Sequence, residues 1–271
     1  SGPSGRYSMA ADARAISRHV SDARLRIVPV GVGSAYSAPG EAQSCYLVSA
    51  AGRSVAIDLG SGTMNLLQRQ IAPEDLDAVV ITHLHPDHCV DLMALRVYMV
   101  WGPGAGRVLT VHGPPGLRER LVAFSGSDGW DTAFDFRDLA AGGGEIDLGG
   151  GLTLRHREVP HLPPTHAVRL EHEGRAICFS ADCAPNDALV ALAEGCEVLV
   201  CEASFGDGVV PPGVPHLTAR DAGDIASRAG VGRLLLVHCS PEFDRDAALA
   251  AARERFGGPV GWARQGEAVA A

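Results

Sequence analysis

His83, His85, Asp87 and His88 fall within six residues of one another, directly after the apolar run Leu76 to Ile81. A buried strand that ends in three imidazoles and a carboxylate is first of all a metal site. These are the donors that zinc takes and that iron or manganese also accept. On an extended strand end His83 and His85 point the same way, and a turn at Pro86 brings Asp87 and His88 to a neighbouring position. The blander reading, a solvated histidine-rich turn, does not account for four potential ligands at this spacing.

The segment Thr82-His83-Leu84-His85-Pro86-Asp87-His88 resembles the H-x-H-x-D-H signature of the metallo-β-lactamase fold, a superfamily of mostly dinuclear metal hydrolases. Upstream, Val55 to Thr63 is similar to that family's strand and turn, with Asp58 as its aspartate and Gly60 and Gly62 as its glycine pair. The resemblance implies a further histidine, a bridging aspartate and a last histidine downstream, and His161, Asp182 and His238 fit. His161 is chosen over His156, His166 and His172 because His161-Leu162-Pro163-Pro164-Thr165-His166-Ala167-Val168-Arg169 matches the family's spacing from histidine to a strand arginine. His166 is then expected to line the pocket or support a ligand, and His156 and His172 to be exposed strand residues. Asp182 ends the apolar run Ala176 to Ala181 and His238 ends Leu234 to Val237. A carboxylate can bridge two cations because it has two oxygens.

Leu199 to Phe205, followed by Pro215-His216-Leu217-Thr218-Ala219, resembles the H-E-A-T-F and H-S-T segments of the ribonuclease Z branch, with Cys201 where that branch usually carries histidine. The resemblance makes His216 a candidate proton donor; its alternative is an ordinary loop histidine. Glu202 either orients His216 or pairs with an arginine. The implied ligand set is His83, His85 and His161 on one metal, Asp87, His88 and His238 on the other, and Asp182 between them. Two divalent ions, Zn2+ first with Mn2+ or Fe as alternatives, would activate a shared water and polarise the electrophile. Asp87 could also orient the resulting hydroxide.

The expected reaction is hydrolysis of a small phosphodiester. Hydrolysis of an ester, lactone or β-lactam is the alternative, and a biosynthetic role on the same fold a third. A metal-binding protein without activity is disfavoured by the complete ligand set. Long RNA is a poor candidate. Ribonuclease Z proper carries a long tRNA-gripping arm between its third histidine and bridging aspartate, whereas 21 positions separate His161 from Asp182. The net charge is −9 and lysine is absent, although nucleic-acid affinity rests on clustered cations.

The elements that must hold these residues alternate strand and helix, as the αββα sandwich implied by the resemblance requires. Strands are expected from Leu25 to Asp58 and at 76–81, 108–112, 152–159, 167–171, up to 180, 198–201 and 234–237. Helices are expected at 64–70, 90–101, 115–124, 187–193, 219–229 and 245–256. Gly142 to Gly151 reads as a glycine-rich break. Gly33 to Ser44 is expected over the metals. Ser125 to Ala141, with Trp130, Phe134 and Phe136, reads as a lid, a homodimer contact or a short packed helix. Met93, Tyr98 and Trp101 fall near helical spacing and are expected in the core.

A chain of 271 residues that is 46% hydrophobic can bury one large α/β domain, assigned to residues 9–271, with residues 1–8 read as a cloning remnant. No apolar run approaches the roughly 20 residues that span a bilayer, so a cytoplasmic protein without membrane contact is expected. The seven cysteines are odd in number and form no C-x-x-C pair, which disfavours both a disulfide framework and a zinc ribbon. Cys89, Cys183 and Cys239 each follow a candidate ligand and read as small core residues facing away from the metals.

Overall fold

The computed structural model describes residues 24–271, so the assignment of residues 1–8 lies outside the described residues. The chain opens with β1 (Arg26–Gly31), β2 (Cys45–Ala50), β3 (Arg53–Ile57), α1 (Thr63–Leu67), β4 (Ala78–Val80), α2 (Pro86–Cys89), α3 (Leu92–Trp101), β5 (Leu109–Gly113), α4 (Leu117–Ser125) and β6 (Phe134–Asp138). It continues with β7 (Gly143–Asp147), β8 (Thr153–Val159), β9 (Thr165–His172), β10 (Arg175–Phe179), α5 (Asp187–Ala193), β11 (Val198–Glu202), α6 (Ala219–Ala229), β12 (Leu234–Val237), α7 (Arg245–Arg253), β13 (Val260–Trp262) and β14 (Val269–Ala270).

These strands form two sheets, ordered β14-β1-β2-β3-β4-β5-β6 and β13-β12-β11-β10-β9-β8-β7. β3 to β6 run parallel, as do β10 to β13; antiparallel hairpins join β1 to β3 and β7 to β10, and β14 returns from the far end of the chain to pair with β1. Three apolar layers follow from the alternation of side chains along the strands. Val28, Ala56, Val79 and Val111 face Leu67, Leu92, Leu95 and Leu121 of the helices on one outer side. Ile57, Val80, Leu154, Val168 and Val200 meet between the sheets. Cys178, Leu199 and Leu236 face Leu189, Ile225 and Ala248 of the helices on the other side. The result is the four-layer αββα sandwich.

Several expectations are corrected. Ser125 to Ala141 is only in part the short packed helix that is one of its readings. It holds a 3-10 turn at Trp130–Thr132 and the edge strand β6, and Trp130 and Phe134 are buried in the core, so neither ring faces a partner. The glycine-rich break contains β7, which pairs with β8. The helix expected at 90–101 is α3, and the short α2 precedes it within the motif. Along α3 Leu92, Leu95 and Met99 face inward, and Trp101, two positions past Met99 and so rotated about 200°, is 71% exposed. Met93 and Tyr98 do pack on the core. His156 and His172 are buried rather than exposed, because they share the inward phase of Leu154 on β8 and of Val168 and Leu170 on β9. All seven cysteines are free and buried, and among the described residues no helix is long and apolar enough to cross a membrane.

Candidate metal centre

The loops after β3, β4, β8, β10, β11 and β12 converge at one edge of the sandwich. Three of them leave their strand through a left-handed backbone, with φ of 58° at Asp58, 51° at Ala181 and 58° at His238. Each such non-glycine residue costs about 1–2 kcal/mol, and local bonds hold two of them in place. Asp58 N donates to Val80 O at 2.8 Å and His238 N to Val32 O at 2.9 Å. Gly60 is required for contact rather than conformation, since a Cβ there would stand 1.9 Å from Asp87 O. The turn after β3 can therefore press on the motif, with Leu59 N donating to His88 O at 2.7 Å. The loop from Gly33 to Ser44 joins the same edge: Ser44 N donates to Asp87 O at 3.2 Å, and the Tyr36 hydroxyl donates to Glu242.

Two donor sets result, His83, His85, His161 and Asp182 in one and Asp87, His88, His238 and Asp182 in the other. A tetrahedral ion with donors at about 2.0–2.1 Å needs those donors about 3.3–3.4 Å apart. In the first set His85 Nδ1 lies 3.1 Å from His83 Nε2 and 3.4 Å from His161 Nε2, with His83 Nε2 3.8 Å from Asp182 Oδ2. In the second, His88 Nε2 and His238 Nε2 are 3.3 Å apart, and Asp87 Oδ2 lies 3.5 and 3.3 Å from them. Asp182 Oδ2 lies 3.4 Å from His88 Nε2 and 3.6 Å from His238 Nε2. These spacings fit a cation in each set better than hydrogen bonds, which would require protons between several pairs of imidazole nitrogens at once. All seven residues expected from the sequence are brought together.

The far nitrogens of four of the histidines are fixed as well, which sets tautomer and ring orientation. His88 Nδ1 is 2.7 Å from Asp58 Oδ2, His161 Nδ1 3.0 Å from Pro215 O, His238 Nδ1 3.0 Å from Ser204 Oγ and His83 Nδ1 3.1 Å from Thr82 Oγ1. Asp58 also accepts from Thr82 N at 2.8 Å and so ties β3 to the motif. Of these partners the sequence reading had singled out Asp58 alone. Thr82 was readable from its place beside His83, and Ser204 from standing two residues after Glu202 on one face of a strand end. The carbonyl of Pro215 had no sequence signal.

Charge differs between the sets. Burial, reinforced by the neighbouring imidazoles, pushes the pKa of His83 well down, and burial also lowers His85 and His161. Burial works against protonating His88 and His238 too, yet the charges of Asp182 and Asp58 on the first, and of Asp182 and Asp87 on the second, raise both. Asp182 is held well below the carboxylate range by His238 and His88 despite its burial, and Asp87 is likewise lowered by those two histidines against burial. The carboxylates of the second set thus demand positive charge, which protonated histidines or a cation can supply.

His216 stands beside this centre, its ring 5.0 Å from that of His161 and 6.2 Å from that of His238. Its Nδ1 lies 3.0 Å from Oε1 of the buried Glu202, which also accepts from Cys183 N at 2.7 Å, while Oε2 accepts from Leu217 N at 3.2 Å. Glu202 therefore orients His216. Burial opposes protonation of His216, but the hydrogen bond and charge of Glu202 raise its pKa to about 9. His166 is a correction: its ring does not face the ligands but meets His156 between the sheets, Nδ1 to Nδ1 at 3.1 Å, and only its backbone N reaches the motif, at Thr82 O.

Residues 53–239 match the family model described as the β-lactamase superfamily domain. An uncharacterized protein of Mycobacterium tuberculosis is 34% identical, over 87% of this chain and 88% of its own length. A ribonuclease Z of Halorubrum lacusprofundi is 28% identical, over 86% and 93%. The crystal structure of the metallo-β-lactamase fold protein YhfI from Bacillus subtilis superposes with a TM-score of 0.83, covering 92% of this chain and 100% of that one at 24% identity.

Proposed function

The chain belongs to the β-lactamase superfamily, and from that premise we propose that it is a metal-dependent phosphodiesterase acting on small phosphodiesters. The observation that carries this reading is the His216–Glu202 pair beside two donor sets that share Asp182. His83, His85 and His161 would hold one divalent ion, Asp87, His88 and His238 the other, and Asp182 would bridge them. Zinc suits these donors, with manganese or iron as alternatives. The ions would supply Lewis acidity and lower the pKa of a bound water. Asp87 would also orient the attacking oxygen.

His216 supplies the other half of the chemistry. An alkoxide leaving group must be protonated as it departs, and a histidine kept charged at neutral pH by a buried carboxylate can give that proton. The relationship to a protein named ribonuclease Z supports a phosphodiester as the class of bond cleaved. The short β9–β10 hairpin between His161 and Asp182, the net charge of −9 and the absence of lysine support a small substrate over a long nucleic acid.

The test compares bis(p-nitrophenyl) phosphate and alkyl or nucleoside diesters with lactones and a chromogenic cephalosporin. Hydrolysis of the diesters is expected, and activity confined to the lactone or cephalosporin would overturn the reading. His216→Ala should lose on the order of 100-fold on an alkyl or nucleoside ester, within the usual range for general acid catalysis. On a p-nitrophenyl ester, whose leaving group needs no proton, it should keep much of its rate. Equal losses on both would make His216 a binding residue instead.

A further inference from the structure

Ser204, two residues past the end of β11, stands between the metal centre and His216. Its Oγ lies 3.0 Å from His238 Nδ1, 2.5 Å from Glu202 Oε2 and 3.3 Å from His216 Nδ1, and the residue is buried. The hydroxyl has one proton, and its neighbours decide where that proton goes. Glu202 Oε2 can only accept, so it takes the proton and leaves the Oγ lone pairs for an N–H. His238 turns its Nε2 toward His88 Nε2 and Asp87 Oδ2, 3.3 Å from each, so Nε2 is the ligand atom and Nδ1 carries the proton. His216 Nδ1 gives its own proton to Glu202 Oε1, the nearer acceptor at 3.0 Å.

A directed chain results, from His238 Nδ1–H to Ser204 Oγ–H to Glu202 Oε2, while Oε1 of the same carboxylate accepts from His216. Both imidazoles thus hang from one buried group, and their planes are 17° apart. Glu202 is itself held by the backbone N–H groups of Cys183 at 2.7 Å, Leu217 at 3.2 Å and Ser204 at 3.3 Å. Cys183 directly follows Asp182, and Leu217 directly follows His216. A carboxylate fixed from three sides cannot swing toward one histidine and away from the other. With a cation on its Nε2 the His238 ring becomes a stronger Nδ1–H donor, and linked hydrogen bonds polarise one another.

We propose that Ser204 is a positioning residue that couples the second half of the metal centre to the proton donor. Through its hydroxyl, the carboxylate that orients His216 also fixes the tautomer and ring of His238. The catalytic part of this inference rests on the reading of His216 as the proton donor, whereas the metal part does not.

The test is a double-mutant cycle on zinc affinity, measured by competition with a chromogenic chelator. Ser204→Ala should weaken the ion of the second half by about 10–100-fold, as loss of an outer partner does, and Ser204→Thr, which keeps the hydroxyl, should restore it to within about threefold. Glu202→Gln should weaken the same ion, although Glu202 reaches His238 only through Ser204. Added to Ser204→Ala, it should cost no more than about twofold, because members of one network are not additive. At saturating zinc, Ser204→Ala should lose about 10-fold more rate on an alkyl diester than on a p-nitrophenyl diester. In zinc-loaded wild-type protein, long-range 1H–15N spectra should show His238 protonated at Nδ1 and metal-bound at Nε2, a result that needs no variant to fold. Wild-type zinc affinity in Ser204→Ala, losses that add in the double variant, no rescue by threonine, or a His238 metallated at Nδ1 would each overturn the coupling. Equal losses on the two diesters would remove its catalytic part. If no diester is cleaved the proposed reaction fails, while the zinc cycle still decides the role of Ser204.

Discussion

The two halves of the metal centre use nearly the same donors in opposite electrostatic settings. His83, His85 and His161 are lowered by burial and by one another, and His85 and His161 are partly open to solvent. Asp87, His88 and His238 are buried throughout, and Asp182 raises both histidines, with Asp58 adding to it at His88 and Asp87 at His238. The first half is therefore an assembly of neutral ligands ready for a metal. The second is a cluster of carboxylates whose charge protons must balance until a metal replaces them. Replacing one histidine by Asp87, with Asp58 behind His88, thus separates a partly open, uncharged half from one that is anchored by charge.

The largest effect should come from the residue that belongs to both halves. Asp182→Ala should cut metal content from two ions per chain to below one, and reduce diester hydrolysis by more than the roughly 100-fold that outer partners of ligands command. Retention of one tightly bound ion would separate the halves and break the comparison.

The next effect separates the halves through their outer partners. Asp58→Asn removes the charge 2.7 Å from His88 Nδ1 and should weaken metal in the second half by about 10–100-fold. Thr82→Ala removes only a neutral hydroxyl from His83 Nδ1 and should weaken the first half by less. Competition with a chromogenic chelator measures both, and equal losses would show that charge is not what distinguishes the sites.

A smaller contrast concerns pH. Histidines with raised pKa values hold protons at neutrality that a metal must displace, so second-half affinity should tighten as pH rises through those values. First-half histidines, with lowered values, are already neutral there. That affinity should stay flat and weaken only in acid. Metal titrations across pH 6.5 to 9 would show one sloping and one level constant, and parallel slopes would contradict the assignment of charge.

What the sequence made legible follows from the range of the interactions. Six of the seven ligands lie at the ends of apolar runs or in one short motif, so local pattern exposes them, whereas His161 follows the mixed strand β8 and is found only through the resemblance. The carbonyl of Pro215 reaches His161 across 54 positions, and no local pattern encodes such a contact. The same holds for the fold. Asp187–Ala193 and Ala219–Ala229 form helices where expected, each opened by a side-chain cap at Asn186 or Thr218. The edge strands β6 and β7 escaped because they carry polar residues and glycine, and β13 and β14 because they are only three and two residues long, so that pairing partners rather than their own sequence make them strands.

The most direct test of the central claim, two cations sharing one aspartate, is the metal stoichiometry of the chain. Protein stripped with a chelator and reloaded with zinc should regain diester hydrolysis in step with metal uptake, reach full activity at two ions per chain, and show both ions beside Asp182 by anomalous scattering. Full activity with a single ion per chain would contradict it.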